Sequence, residues 1–110
     1  MTDTNTIPAD LIASAAAEYG DDGYSVLRTN GMEFLVRRPT RAEWKRFLAD
    51  SGNQARRDVA IGNLVKNAML WPDRAEFEAR LERKPALCEE LAEPVLALAG
   101  LTGQVSSGKS

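Results

Sequence analysis

The sequence predicts an α+β fold, mostly α: an N-terminal helix, one β-hairpin, then a bundle of about four short helices. Three observations carry that reading. Apolar residues recur at helical spacing over most of the chain, the spacing falls to two between residues 24 and 38, and Asn30-Gly31 stands inside that interval. The expected organisation is a disordered N-terminus at 1–6, a single domain at 7–101 with the hairpin at about 24–38, and a flexible C-terminal tail at 102–110.

The first helix is written in IPADLIASAAAEY. Pro8 falls in its first turn, where a missing N–H costs little, and Gly20 is a natural stop. Leu11, Ile12, Ala15 and Tyr19 share one face, but that face is narrow and alanine-rich, which predicts loose docking. Two short runs follow, Ser25–Thr29 and Met32–Arg38, on either side of Asn30-Gly31. Asn-Gly supplies the positive φ angles of a type I′ turn, the strongest local hairpin signal. Val26 would share a face with Phe34 and Val36 only in one register, and the sequence leaves the pairing open. A lone hairpin is marginal in water, so it must lie on helices or join a partner's sheet.

PTRAEWKRFLAD starts a helix with Thr40 as N-cap and Glu43 closing the capping box, a cap whose loss costs about 1 kcal/mol. Trp44, Phe47 and Leu48 form its apolar stripe. Ser51-Gly52-Asn53 breaks the pattern, and QARRDVAIGNLVKNAML resumes it with Ile61, Leu64, Val65 and Ala68 on one face and Val59, Met69 and Leu70 widening it. A helix that apolar is expected to be central. WPDRAEFEARLERK restarts at Pro72, with Asp73 and Glu76 in capping positions and Phe77 and Leu81 pointing inward. Pro85 opens the last helix, with Leu87, Leu91 and Leu98 as its buried residues and Val95 close by. Pro94 inside it predicts a kink or a split, and Gly100-Leu101 a Schellman-type end.

Composition excludes more than it specifies. The 110 residues are 44% hydrophobic and 27% charged, ordinary for one folded domain, and the net charge of −2 argues against general polyanion binding. No apolar run approaches the roughly 20 residues that cross a bilayer. The acidic, polar start MTDTNTIPAD reads as no secretory signal, and the single cysteine, Cys88, suits a reducing cytoplasm. With no histidine and one cysteine, the Ser-His-Asp and Cys-His nucleophile systems and an ordinary zinc site are excluded. The expected chemistry is therefore non-enzymatic, with no cofactor and no metal.

One segment imitates chemistry. GQVSSGKS, residues 103–110, fits the phosphate-loop pattern G-x-x-x-x-G-K-S. Such a loop works between a buried strand and a helix, where backbone N–H groups and the helix N-terminus hold the phosphates. Here a Leu/Ala-rich helix end precedes it, and no strand–helix alternation builds a parallel sheet. A Gly/Ser tail is the better reading.

The residues set apart as partner contacts are Trp44, Leu70, Trp71 and Phe77, together with Arg37, Arg38 and Arg41 from the densest basic cluster, which Lys45 and Arg46 extend. Tryptophan is favoured as an interface anchor, although Trp44 beside Phe47 and Leu48 also fits core packing. The basic cluster reads as a solvated helix face countered by Glu43 and Asp50. Cys88, flanked by Glu89 and Glu90, lacks a positive neighbour and reads as inert packing. Arg56 and Arg57, at the start of the second helix of a pair broken by Ser51-Gly52-Asn53, keep open a DNA-binding regulator of helix-turn-helix type.

From the hairpin onward the chain resembles the small tail assembly chaperones of long-tailed bacteriophages and prophages. The resemblance rests on FLVRRPTRAEWKRF, a hairpin strand leading directly into a capped helix; on NAMLWPDRAEFEARL, where an apolar turn meets Trp-Pro-Asp; and on the ending KPALCEELAEPVLALAGL. These span roughly residues 32 to 101. Pro94 and the alanine-rich first helix depart from the pattern. The resemblance implies a non-catalytic protein of the bacterial host cytoplasm that coats the phage tape-measure protein while tail tube subunits assemble, with self-association as a further expectation and no role for membrane or nucleic acid. In that family the gene is often followed by a reading frame entered through ribosomal slippage near its end, and Ser107-Gly108-Lys109 is compatible with such a site, although a Gly/Ser tail remains the better reading. A minor virion structural protein is the remaining alternative.

Overall fold

The computed structural model describes residues 6–101. The expected disordered N-terminus, apart from the exposed Thr6, lies outside the described residues, as do the C-terminal tail and the phosphate-loop pattern. Among the described residues the fold is α+β and mostly α. Five α-helices (α1 Ala9–Tyr19, α2 Arg41–Ser51, α3 Arg57–Ala68, α4 Arg74–Arg83, α5 Leu87–Leu98) surround three strands (β1 Tyr24–Thr29, β2 Met32–Arg37, β3 Met69–Trp71). A single 3₁₀ turn, Gln54–Arg56, joins α2 to α3.

The hairpin forms where Asn30-Gly31 requires it. Both residues have positive φ, 55° and 73°, and Thr29 pairs directly with Met32 across the two-residue turn. The register sets Val26 opposite Leu35 and Leu27 opposite Phe34. Because successive side chains alternate between faces, Leu27 joins Phe34 and Val36, and Val26 goes to the other side with Leu35. Phe34, Leu35 and Val36 are 0–1% exposed, so β2 is covered on both faces. The α3 and α5 helices, with Phe77 of α4, close the Phe34/Val36 face. The α1 helix and Ile7 close the Leu35 face.

The helix expected to run through Leu70 ends at Ala68, and Met69–Trp71 becomes a third strand on the free edge of β2. Leu35 pairs with Trp71 and Val36 with Met69, so Leu70 is the extra residue of a bulge. Tertiary demand overrides helical pattern here. A strand buried on both faces leaves the N–H and C=O groups of an open edge without water, and pairing satisfies them. The residue before Pro72 is also biased to extended backbone.

Other expectations divide. Thr40 and Asp73 cap α2 and α4 through the Glu43 and Glu76 N–H groups, and α5 closes with the two Schellman bonds, Leu101 N–H to the Leu96 carbonyl at 2.9 Å and Gly100 N–H to that of Ala97 at 3.0 Å. Pro94 does not split α5, which runs unbroken across it. Leu91 and Val95, on the turns either side of it, are both buried and hold those turns on the core. Leu98 is only half-buried. Leu48 and Val59, expected on apolar inner faces, are 53% and 52% exposed. They stand at the linked ends of the α2–α3 pair, beyond the reach of the sheet and α5.

The α1 helix turns into β1 through Gly20 at φ 78° and Gly23, whose N–H donates to the Gly20 carbonyl at 3.1 Å. A Cβ on Gly23 would lie 2.2 Å from the Tyr19 carbonyl oxygen. Gly23→Ala is therefore expected to destabilise the domain by about 1–3 kcal/mol through forced backbone movement. Gly62, inside α3 with open space around it, is the contrasting case: Gly62→Ala should stabilise by about 0.5–1 kcal/mol. Urea unfolding of the two variants beside wild type reads both signs.

Candidate functional site

The best-organised polar arrangement surrounds the start of α2. Thr40 Oγ1 accepts from the Glu43 N–H at 3.1 Å, and Glu43 Oε1 accepts from the Thr40 N–H at 2.9 Å. Arg37, the last residue of β2, meets the same carboxylate with both arms of its guanidinium, Nη1 to Oε1 and Nη2 to Oε2, each at 2.9 Å. Its Nη2 also donates to the Asn67 carbonyl near the end of α3 at 2.7 Å. One bidentate pair thus ties strand, capping box and second helix together. The Arg37 hydrogen bond, offset in part by burial, holds the Glu43 carboxyl below its ordinary value of 4.5, and the same bond raises Arg37.

Fixed at that end, α2 lies along α3. Trp44 and Phe47 stack with ring centroids 5.2 Å apart and are half-buried against the Val36, Leu64, Ala68 and Val95 cluster. No residue of α2 is buried, and Leu48, a turn beyond Trp44, stands open. A cleft of about 170 Å³ separates the two helices, with Arg46, Asp50, Asn63 and Asn67 at its polar edges and Phe47 and Leu64 at its base. Arg38, Arg41, Lys45 and Arg46 are exposed around this helix. The result is a helix whose apolar stripe is partly covered and whose border is basic.

The other expected contact residues lie elsewhere. Phe77 is 0% exposed, in edge-to-face contact with Phe34 at 6.0 Å, and is core rather than contact surface. Its place follows from position 77 facing the sheet once Asp73 caps α4. Leu70 and Trp71 are half-buried on the Leu35 side, packed with α1. Arg37 is engaged as described. Of the seven, Trp44, Arg38 and Arg41 remain on or beside the α2 surface, and the set does not form one patch.

Two residues escaped the sequence reading. Arg80 is 1% exposed; its Nε donates to Glu76 at 3.1 Å, its Nη1 donates to the Glu33 carbonyl at 3.1 Å, and its guanidinium lies 5.1 Å from the Phe34 ring centroid and 5.3 Å from that of Trp71. Glu33 accepts from the Ile7 N–H at 2.9 Å and pairs with Arg28 at 2.8 Å. The signal for Arg80 was available: it is three residues from Phe77, on the same helical face, with Glu76 at i−4. Cys88 is half-buried, and burial pushes its thiol up, away from reactivity. Arg56 reaches Asp50 at 3.7 Å, and α3, the second helix of the helix-turn-helix reading, buries Ala60, Leu64, Val65 and Ala68.

Among the described residues no group of His, Cys, Asp or Glu could hold a metal ion, and no helix is long and apolar enough to cross a membrane. The family described as a domain of unknown function, DUF6848, matches residues 18–108. No curated protein and no solved structure matches the chain.

The depressed Glu43 gives a pH prediction with a defined sign. A carboxyl lowered by folding contributes stability above its unfolded value, and that contribution is lost as pH falls through the folded value. The stability gap between wild type and Glu43→Gln should be widest above pH 4.5 and close on further acidification. Urea unfolding of both chains from pH 7 down to about 3 measures it; a gap independent of pH would remove Glu43 as the titrating group.

Proposed function

The chain belongs to the DUF6848 family, and we propose that its function is that of a non-enzymatic phage tail assembly chaperone. In this reading it binds the tape-measure protein in the bacterial cytoplasm and protects it while tail tube subunits assemble. The observation that supports the reading is the partly covered stripe of α2: Trp44 and Phe47 half-buried, Leu48 53% exposed, and a basic border of Arg38, Arg41, Lys45 and Arg46.

A long amphipathic helix exposes an apolar stripe that aggregates unless another surface covers it. A helix laid along α2 would bury Leu48 and the open sides of both aromatic rings, and acidic residues beside its own stripe would meet the basic border. The capping box and the Arg37–Glu43 pair keep α2 in place, so docking requires little ordering of the chaperone. The sequence resemblance to tail assembly chaperones points the same way. The helix-turn-helix reading has weaker support, because α3 is committed to the core and Arg56 lies against Asp50.

Co-expression with the long coiled tape-measure protein of the same tail operon tests the reading. The partner should become soluble and co-purify with this chain. Leu48→Lys, an exposed change that leaves the core intact, should reduce recovery of the complex by about tenfold while unfolding stability stays within about 0.5 kcal/mol. An insoluble partner with nothing co-purifying would end the chaperone reading, and duplex-DNA titration across salt would then be the next measurement.

A further inference from the structure

The sheet has two outer edges, and they differ. β3 is three residues long, carries the bulge at Leu70 and runs directly into Pro72, features that keep a further strand away. β1 has none of them. Its six residues pair with β2 in an uninterrupted register, contain no proline and no lysine, and carry one charge, Arg28. The alternation of the ladder fixes which backbone groups face outward. The Arg38 N–H donates to the Gly23 carbonyl at 2.7 Å, and Thr29 pairs with Met32 at the turn, so Gly23, Ser25, Leu27 and Thr29 are the residues that bond toward β2. The N–H and C=O groups of Tyr24, Val26 and Arg28 therefore point to the free edge. Among the described residues, no hydrogen bond takes up any of these groups.

The same three residues describe what fits. Tyr24, Val26 and Arg28 are evenly spaced about Val26 and share the Leu35 face of the sheet, where Tyr24 and Val26 pack and are only half-buried. A second copy, related by a two-fold axis at Val26, sets Val26 opposite its own counterpart, Tyr24 opposite the second copy's Arg28, and Arg28 opposite the second copy's Tyr24. Each outward N–H and C=O then meets its complement. The one charge of the strand faces an aromatic ring and never itself. Arg28 is bonded through Nε to Glu33 at 2.8 Å, which balances its charge, and its side chain is still 74% exposed. On the other face, Ser25 comes opposite the second copy's Leu27, a small residue beside a large one. A two-fold axis at Leu27 would leave the Tyr24 groups unpaired within the strand, and one at Arg28 would set like charges face to face. The net charge of −2 per chain adds little repulsion between copies.

We infer that the β1 edge is a self-association surface, on which two copies of this chain pair β1 with β1, antiparallel about Val26, and join their sheets into one. A strand of another protein would satisfy the same backbone groups, but the order aromatic, aliphatic, basic complements itself when reversed, which is what a two-fold interface requires. This surface is separate from the α2 stripe: Leu48 and the basic border of α2 take no part in it, so it does not rest on the chaperone reading.

Three measurements on the full chain test the inference. By sedimentation, the protein should pass from monomer to dimer as its concentration rises. Hydrogen exchange then locates the contact: concentrating the protein should slow the Tyr24, Val26 and Arg28 amides at least about tenfold, while those of Ser25, Leu27 and Thr29, bonded to β2 in both states, stay unchanged. Arg28→Pro removes an N–H that only the second copy uses and leaves the inward ladder intact, so the variant should fold and dimerise at least about tenfold more weakly. A chain monomeric at every concentration would overturn the inference, as would a dimer whose three outward amides exchange as they do in the monomer. An Arg28→Pro dimer of wild-type affinity would overturn the register about Val26; exchange on wild type decides the surface even where that variant does not fold. Outward amides protected only in a complex with another protein, the free chain staying monomeric, would give the edge to that protein's strand and overturn the second copy.

Discussion

A strand buried on both faces is the constraint from which the rest of this structure follows. Phe34, Leu35 and Val36 are consecutive and nearly inaccessible, so β2 needs a layer above it, a layer below it and a partner on each edge. β1 supplies one edge through the hairpin, and Met69–Trp71 leaves the helical pattern to supply the other. The two helical layers follow from the alternation of side chains along β2: Phe34 and Val36 recruit α3 and α5, and Leu35 recruits α1.

Charges then fix what apolar contacts leave free. Hydrophobic burial is non-directional, and helices on a small sheet could settle at several angles. The fork of Arg37 on Glu43 sets where α2 begins relative to β2 and α3. Arg80, placed against Phe34 and Trp71 and bonded to Glu76 and the Glu33 carbonyl, does the same for α4. Both arginines lie near the ends of β2, so the strand that organises the core also anchors the polar contacts that orient the helices.

The α2 surface is a product of this arrangement. With the sheet closed by α3 and α5, α2 packs on α3 at the margin of the core, and the apolar stripe written as Trp44, Phe47 and Leu48 is only partly used. Trp44, set apart as a contact residue, is at this surface beside Phe47, whereas Phe77, set apart as a contact although its spacing also turned it inward, is at the centre of the core. Residue type alone does not separate these cases. Both are aromatic residues on amphipathic helices, and the difference is whether the helix lies over the sheet or beside it.

What the sequence by itself determined is whatever is decided within about five residues. The Asn30-Gly31 turn, the Thr40 and Asp73 caps, the Gly20 stop and the Schellman end at Gly100 each depend on a local φ preference or a short-range hydrogen bond, and each is where the sequence puts it. The α+β, mostly α class follows from these together with the change in apolar period. The Asn30-Gly31 turn also fixes the register that puts Val26 opposite Leu35. Only the tertiary structure decided the third strand, the aromatic rings that enclose Arg80 and the exposure of Leu48 and Val59. Each of these depends on a partner distant in the chain: an open strand edge, a pair of aromatic rings, or the limit of a layer. Burial is a property of the assembled layers, and residues 69–71 form a strand because β2 leaves an edge that must be paired.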